Sequence, residues 1–133
     1  MRGAHRYYSQ RSTNRELPLK HFDWSQVPQE NLNEKLSRKF VNGEKVMVAQ
    51  LFLKQGCLIP EHSHESEQMS FVVTGSLKFF LEGEERIVKS NELLHIPSRI
   101  KHSAEALEDT LTYDIFSPIR QDWIEGDDAY LRK

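Results

Sequence analysis

His62, His64 and Gln68 in the run PEHSHESEQMSFVVTG, together with His102 in IPSRIKHS, are the side chains whose types and spacing can do chemistry. Imidazole nitrogens suit Mn, Fe, Ni, Cu and Zn alike, and the amide oxygen of Gln68 adds a hard, neutral donor. The set is expected to hold one divalent transition metal, Ni, Zn, Mn or Fe, with the identity left open by the donor types. Three imidazoles and an amide cancel none of the metal's dipositive charge. Lewis-acid work on an anionic ligand is the chemistry this favours. A lone His-x-His pair would more simply be a solvated feature of an exposed strand, so the weight rests on the four residues together.

The elements that must position these donors are strands. If residues 62–68 are extended, His62, His64 and Gln68 share parity and face one side. Glu67 is the rival donor; on a regular strand it points away, and a bulge within residues 65–67 would reverse the choice. Gly56 and Gly75 bracket the run, where the chain must turn tightly. Past the first thirty residues the segments KVMVAQLFLK, EQMSFVVTG, SLKFFLEG, EERIVKS, ELLHIP, HSAEAL and TLTYDIFS are short and rich in Val, Ile, Leu, Phe and Tyr. Glu82 and Gly83 mark a tight turn between two of them, so antiparallel hairpins are expected in an all-β sandwich or barrel.

With these residues this chain resembles the cupins. Their first motif, G-x5-H-x-H-x3–4-E-x6-G, is met by Gly56, His62, His64, Gln68 and Gly75, and their second, G-x5-P-x-G-x2-H-x3-N, by Asn91, Pro97, Arg99, His102 and Ala106. Asn91 for glycine is a mild departure, because Asn tolerates the left-handed conformation, whereas Arg99 for the second glycine points to a different turn. Gln68 stands where the family has a glutamate ligand. The resemblance implies an all-β double-stranded β-helix, the jelly-roll or cupin barrel, over residues 31–120. A flexible arm over 1–30 precedes it and a short tail with a helical turn over 121–133 follows. It also implies a homodimer, a reading that fits KVMVAQLFL. There Met47, Ala49, Leu51 and Leu53 line one face and Val46, Val48 and Phe52 the other, so something should pack outside, either the segment around Phe22 and Trp24 or a second subunit.

A second constellation lies in TYDIFSPIRQDW. Asp114 and Phe116 share parity, and Pro118 ends the strand just before Arg120. An acid, an aromatic and a guanidinium suit a sugar acid: the ring stacks on Phe116, the carboxylate takes the fork of Arg120, and Asp114 moves a proton. The same residues also read as a surface ion pair, Asp114 with Arg120, and a core phenylalanine. Here the chain resembles more narrowly the cupins that include the ring-opening enzyme of pectin and alginate breakdown, which turns cyclic 4,5-unsaturated uronates into their linear keto form. That group carries H-x-H with E-Q, a later metal histidine and D-x-F-S/T-P-x-R, met by His62, His64, Glu67 with Gln68, His102, Asp114, Phe116 and Arg120. The resemblance implies Asp114 as acid or base, Arg120 as carboxylate anchor and a lyase- or isomerase-type reaction. Two other readings stay open: a cupin dioxygenase using non-haem iron, and a non-catalytic metal- or sugar-binding module.

A chain of 133 residues with 38% hydrophobic residues is sized for one domain with its own core. A net charge of -2 gives no overall basic field, so no nucleic-acid partner is expected. Arg2, Arg6, Arg11, Arg15 and Lys20 make the arm locally basic, and it reads as flexible. No apolar run has the length of a membrane span or a signal-peptide core, so a cytoplasmic location without membrane partners is expected. The single Cys57 cannot form an internal disulfide and has the wrong parity for the histidine face, which suits a buried structural thiol.

Overall fold

The computed structural model describes residues 19–133, so most of the basic arm lies outside the described residues. Ten strands follow in chain order: β1 (Glu30–Asn33), β2 (Leu36–Asn42), β3 (Met47–Leu53), β4 (Leu58–His62), β5 (Glu67–Thr74), β6 (Ser76–Leu81), β7 (Glu84–Lys89), β8 (Glu92–Ile96), β9 (His102–Ala106) and β10 (Thr110–Ser117). They form a six-stranded sheet in the order β1-β2-β3-β10-β5-β8 and a four-stranded sheet in the order β4-β9-β6-β7. The strand pairs are antiparallel. This is the all-β jelly roll expected from the strand pattern. No helix among the described residues is long and apolar enough to cross a membrane.

Strand alternation builds the core between the sheets. Met47, Ala49, Leu51 and Leu53 of β3 are buried with Val72 of β5, Ile96 of β8 and Phe116 of β10, facing Leu77 and Phe79 of β6. The opposite face of β3 is only partly covered, and Phe52 is 47% exposed. A 3-10 turn at Trp24–Gln26 brings the Trp24 ring to 6.0 Å from Tyr113 on that outer face. Lys39 Nζ donates to the Trp24 carbonyl at 2.8 Å and holds the turn there. Of the two covers expected for this face, the segment around Trp24 is therefore one. Cys57 is buried, as a structural thiol should be.

The connections show why particular residues stand at the turns. Glu82 and Gly83 both have positive φ, 49° and 82°, the backbone of a two-residue hairpin whose twist matches β6 and β7. Gly75 carries the chain from one sheet to the other at φ 97°; a Cβ there would lie 2.4 Å from Thr110 Oγ1 and 2.5 Å from the Asp109 carbonyl. At Arg99 the different turn expected from losing a glycine is not found. The residue takes the left-handed conformation that glycine favours, φ 65°, and its N–H donates to the His64 carbonyl at 2.8 Å.

After β10 the chain folds back over the barrel. Helix α1 (Gln121–Ile124) buries Trp123, and a 3-10 turn at Ala129–Leu131 buries Leu131. Asp128 is fully buried in an ion pair with Arg38, itself buried, whose guanidinium sits 4.4 Å from the Trp123 ring centre. Asn33 Nδ2 donates to the Leu131 carbonyl at 3.0 Å. Residues 121–133 thus form a strap anchored on β1 and β2.

Candidate metal centre

His62 ends β4 and His102 begins β9, facing each other in register across the strand pair. Gln68 is the second residue of β5, in the other sheet, and His64 lies in the connection between β4 and β5. Residues 62–68 are therefore not one strand, and the shared parity of His62, His64 and Gln68 is not what makes them converge. The chain crosses from sheet to sheet at residues 63–66, and the crossing aims all three inward. Two hydrogen bonds pin the crossing: Ser66 Oγ to the Pro118 carbonyl at 2.6 Å, and Arg99 N–H to the His64 carbonyl.

The ligand atoms of His62, His64 and His102 lie within 4.8 Å of one another. Each Nδ1 sits 2.8 Å from a backbone carbonyl two residues away, that of Pro60, Ser66 or Ile100. A carbonyl only accepts, so each Nδ1 carries the proton and each Nε2 presents a lone pair. Burial lowers the pKa of all three, His62 to about 3 and His64 to about 4, helped in each by the Arg120 charge and, at His62 and His64, by neighbouring imidazoles. Neutral imidazoles with fixed tautomers are what a divalent metal requires.

Gln68 supplies a sharper indication. Its Nε2 donates to Ser70 Oγ at 2.9 Å, and that hydroxyl donates to Asp114 Oδ1 at 2.7 Å. The amide orientation is thereby set, and Oε1 faces His64 Nε2 at 3.0 Å. With the His64 proton on Nδ1, two acceptors face each other. His102 Nε2 is buried with no hydrogen-bond partner. A cation among these four atoms relieves both conditions, so the residues fit a divalent metal. Glu67 is exposed and bonded to His95 at 2.9 Å on the outer face, away from the cluster.

Asp114, Phe116 and Arg120 line the same cavity as His62, Gln68 and His102, a space of about 50 Å³. Burial pushes the Asp114 carboxyl up to about 6, against the opposing pull of the Ser70 hydroxyl and the Arg120 charge. Phe116 is buried, with its ring edge-on to His64 at 5.6 Å and to Trp123 at 5.2 Å. Arg120 is 3% exposed and packs over Phe116 and Trp123. Its carboxylate partner is Asp122, bound through Nε at 3.0 Å and Nη2 at 2.8 Å, so Asp114 and Arg120 are not a surface ion pair. Sequence reasoning missed three neighbours of the site: Ser70, Asp122 and Tyr130. Ser70 shares the parity of Gln68 on β5 and was within reach of the strand argument; Tyr130 carried no signal, because only the folded strap brings it to His62.

Residues 50–115 match the family model described as the cupin domain. The chain is 27% identical over 108 residues to the pectin degradation protein KdgF of Dickeya dadantii, an alignment spanning 79% of this chain and 98% of the relative. It superposes on the structure of KdgF from Halomonas sp. with a TM-score of 0.73 at 29% identity, covering 78% of this chain and 99% of that one. An RmlC-like cupin from Shewanella frigidimarina matches with the same TM-score of 0.73 at 23% identity, covering 79% and 96%, a likeness of fold. The two-sheet barrel, His62 and His102 on facing strands and the family match agree, and residues 50–115 are a cupin domain.

Proposed function

We propose that this protein is a metal-dependent enzyme that opens the ring of a 4,5-unsaturated uronate or a similar sugar acid. The likeness to two KdgF proteins, one named for pectin degradation, supports the substrate class. The observation that carries the reading is the chain from Gln68 through Ser70 to Asp114, which joins a metal donor to a carboxyl group with a pKa near neutrality. His62, His64, Gln68 and His102 would hold one divalent metal, Ni, Zn, Mn or Fe, which would supply Lewis-acid polarisation of the sugar's oxygens.

Asp114 is the group that moves the proton. As the bond from the anomeric carbon to the ring oxygen breaks, the carboxylate takes the anomeric hydroxyl proton. It returns a proton to the far carbon of the double bond as the enol becomes a ketone, so the reaction is an isomerisation with no redox change. A pKa of about 6 lets one carboxyl group serve in both directions near neutral pH. Phe116 gives an apolar wall, and Arg120 offers guanidinium hydrogen bonds to the uronate carboxylate. Exposed Phe52, Leu93 and Ile115 on the outer face of the six-stranded sheet support pairing with a second copy. Light scattering would test that pairing.

The deciding experiment adds metal-loaded protein to a fresh unsaturated uronate and follows the ultraviolet absorbance of the conjugated double bond. Faster loss, abolished by a chelator, is expected. No acceleration at full metal occupancy would refute the ring-opening reading, and oxygen consumption would then separate a dioxygenase from a binding module.

A further inference from the structure

The uronate reading needs a seat for the substrate's carboxylate, and Arg120 alone does not provide one. A guanidinium can grip a carboxylate with two bonds along either of two edges; here the Nε–Nη2 edge is turned to Asp122, and on the Nη1–Nη2 edge Nη2 is turned to Tyr130. Nη1 makes no hydrogen bond with a described residue. Nη2 also donates to Tyr130 Oη at 2.6 Å. A phenol oxygen that accepts from a guanidinium keeps its own O–H to donate, and no described residue takes that hydrogen.

Tyr130 lines the cavity with His62, Asp114 and Arg120. Its ring lies against His62, with centres 4.8 Å apart and planes at 36°. The strap fixes it there from both sides. Asp128 is locked to Arg38 before it, while Leu131 after it is buried and bonded through its carbonyl to Asn33. An O–H held in place before a ligand arrives costs little ordering on binding.

We propose that Tyr130 is a substrate-binding residue whose O–H, together with Nη1 of Arg120, forms the carboxylate seat and makes the site prefer sugar acids to neutral sugars. The identity of the acid rests on the uronate reading above; the seat itself rests on the Tyr130, Arg120 and Asp122 geometry. Because Asp122 already balances the Arg120 charge, directional hydrogen bonds give the preference, and the tyrosine hydroxyl is half of it.

The test is calorimetric titration of the metal-loaded full chain with galacturonate and with galactose, alongside steady-state kinetics on an unsaturated uronate. Wild type should bind the acid about tenfold or more tighter than the neutral sugar. Tyr130→Phe keeps the ring on His62; it should weaken galacturonate binding about tenfold, leave galactose binding and metal content unchanged, and raise KM with kcat within about twofold. Unchanged galacturonate affinity in Tyr130→Phe, or a loss confined to kcat, overturns the seat. Turnover by wild type with no Tyr130→Phe effect would remove the seat and leave the ring-opening reading. Tyrosine-dependent acid binding without turnover would do the reverse. Failure of the loaded protein to bind either acid overturns both.

Discussion

Gln68 Oε1 and His64 Nε2 face each other at 3.0 Å, and both are hydrogen-bond acceptors once the His64 proton is placed on Nδ1 against the Ser66 carbonyl. Such an arrangement is repulsive until a cation enters it. Purified protein should therefore carry about one divalent transition ion per chain by elemental analysis. His102→Ala should lower occupancy sharply. A protein that stays metal-free and binds no added Ni, Zn, Mn or Fe would remove the metal centre altogether.

Gln68 and Glu67 should separate cleanly as ligands. Gln68→Ala is expected to weaken metal binding strongly and Glu67→Ala hardly at all, since Glu67 faces outward to His95. Ser70→Ala removes the hydroxyl that orients the Gln68 amide, and should cost about 10- to 100-fold in metal affinity. Competition titrations against a chromogenic chelator give the ranking. Equal loss for Glu67→Ala and Gln68→Ala would mean that the carboxylate binds after all.

The depressed histidine pKa values set the pH dependence of the metal-free protein. Folded His62 and His64 take up protons only near pH 3 and 4, while unfolded histidine does so near 6.5. Between these values the unfolded chain binds more protons, so stability should fall as the pH drops from about 6.5 towards 4, by several kcal/mol. Asp114 acts in the opposite sense from 3.8 to about 6, but it is one group against two. Urea midpoints for the metal-free chain should accordingly be lower at pH 5 than at pH 7, and the reverse order would contradict buried neutral imidazoles.

Asp114→Asn should retain metal and fold while losing about a hundredfold or more in rate, because a positioned acid or base is removed and its shape kept. In the wild type, the rate of the step that needs the carboxylate should rise with pH through about 6. Full activity in Asp114→Asn would transfer the proton to another group.

The strap offers a stability test independent of function. Asp128→Ala leaves the buried Arg38 guanidinium with Glu30 as its remaining carboxylate partner, bound through Nε at 2.9 Å, and should destabilise the protein by somewhat less than the ~3–5 kcal/mol of a fully unpaired buried charge. A thermal midpoint shifted by less than a degree or two would mean that residues 121–133 contribute little to the fold.

The all-β class and the inward set Met47, Ala49, Leu51 and Leu53 were legible in the sequence, because strand alternation is a local property that burial on one face enforces. The histidines and Gln68 were legible as candidate donors by type, and Glu67 was rightly expected to face away. The reason for their convergence was not legible: residues 62–68 break between two sheets, and a crossing over the core has no periodic signature. Tyr130 beside His62 and Leu131 in the core were decided by tertiary structure alone, whereas Asp122 lies only two residues from the Arg120 it binds. The strap that sets them is held by Arg38 and Asp128, ninety residues apart, and a contact over that separation leaves no mark in the spacing of nearby side chains.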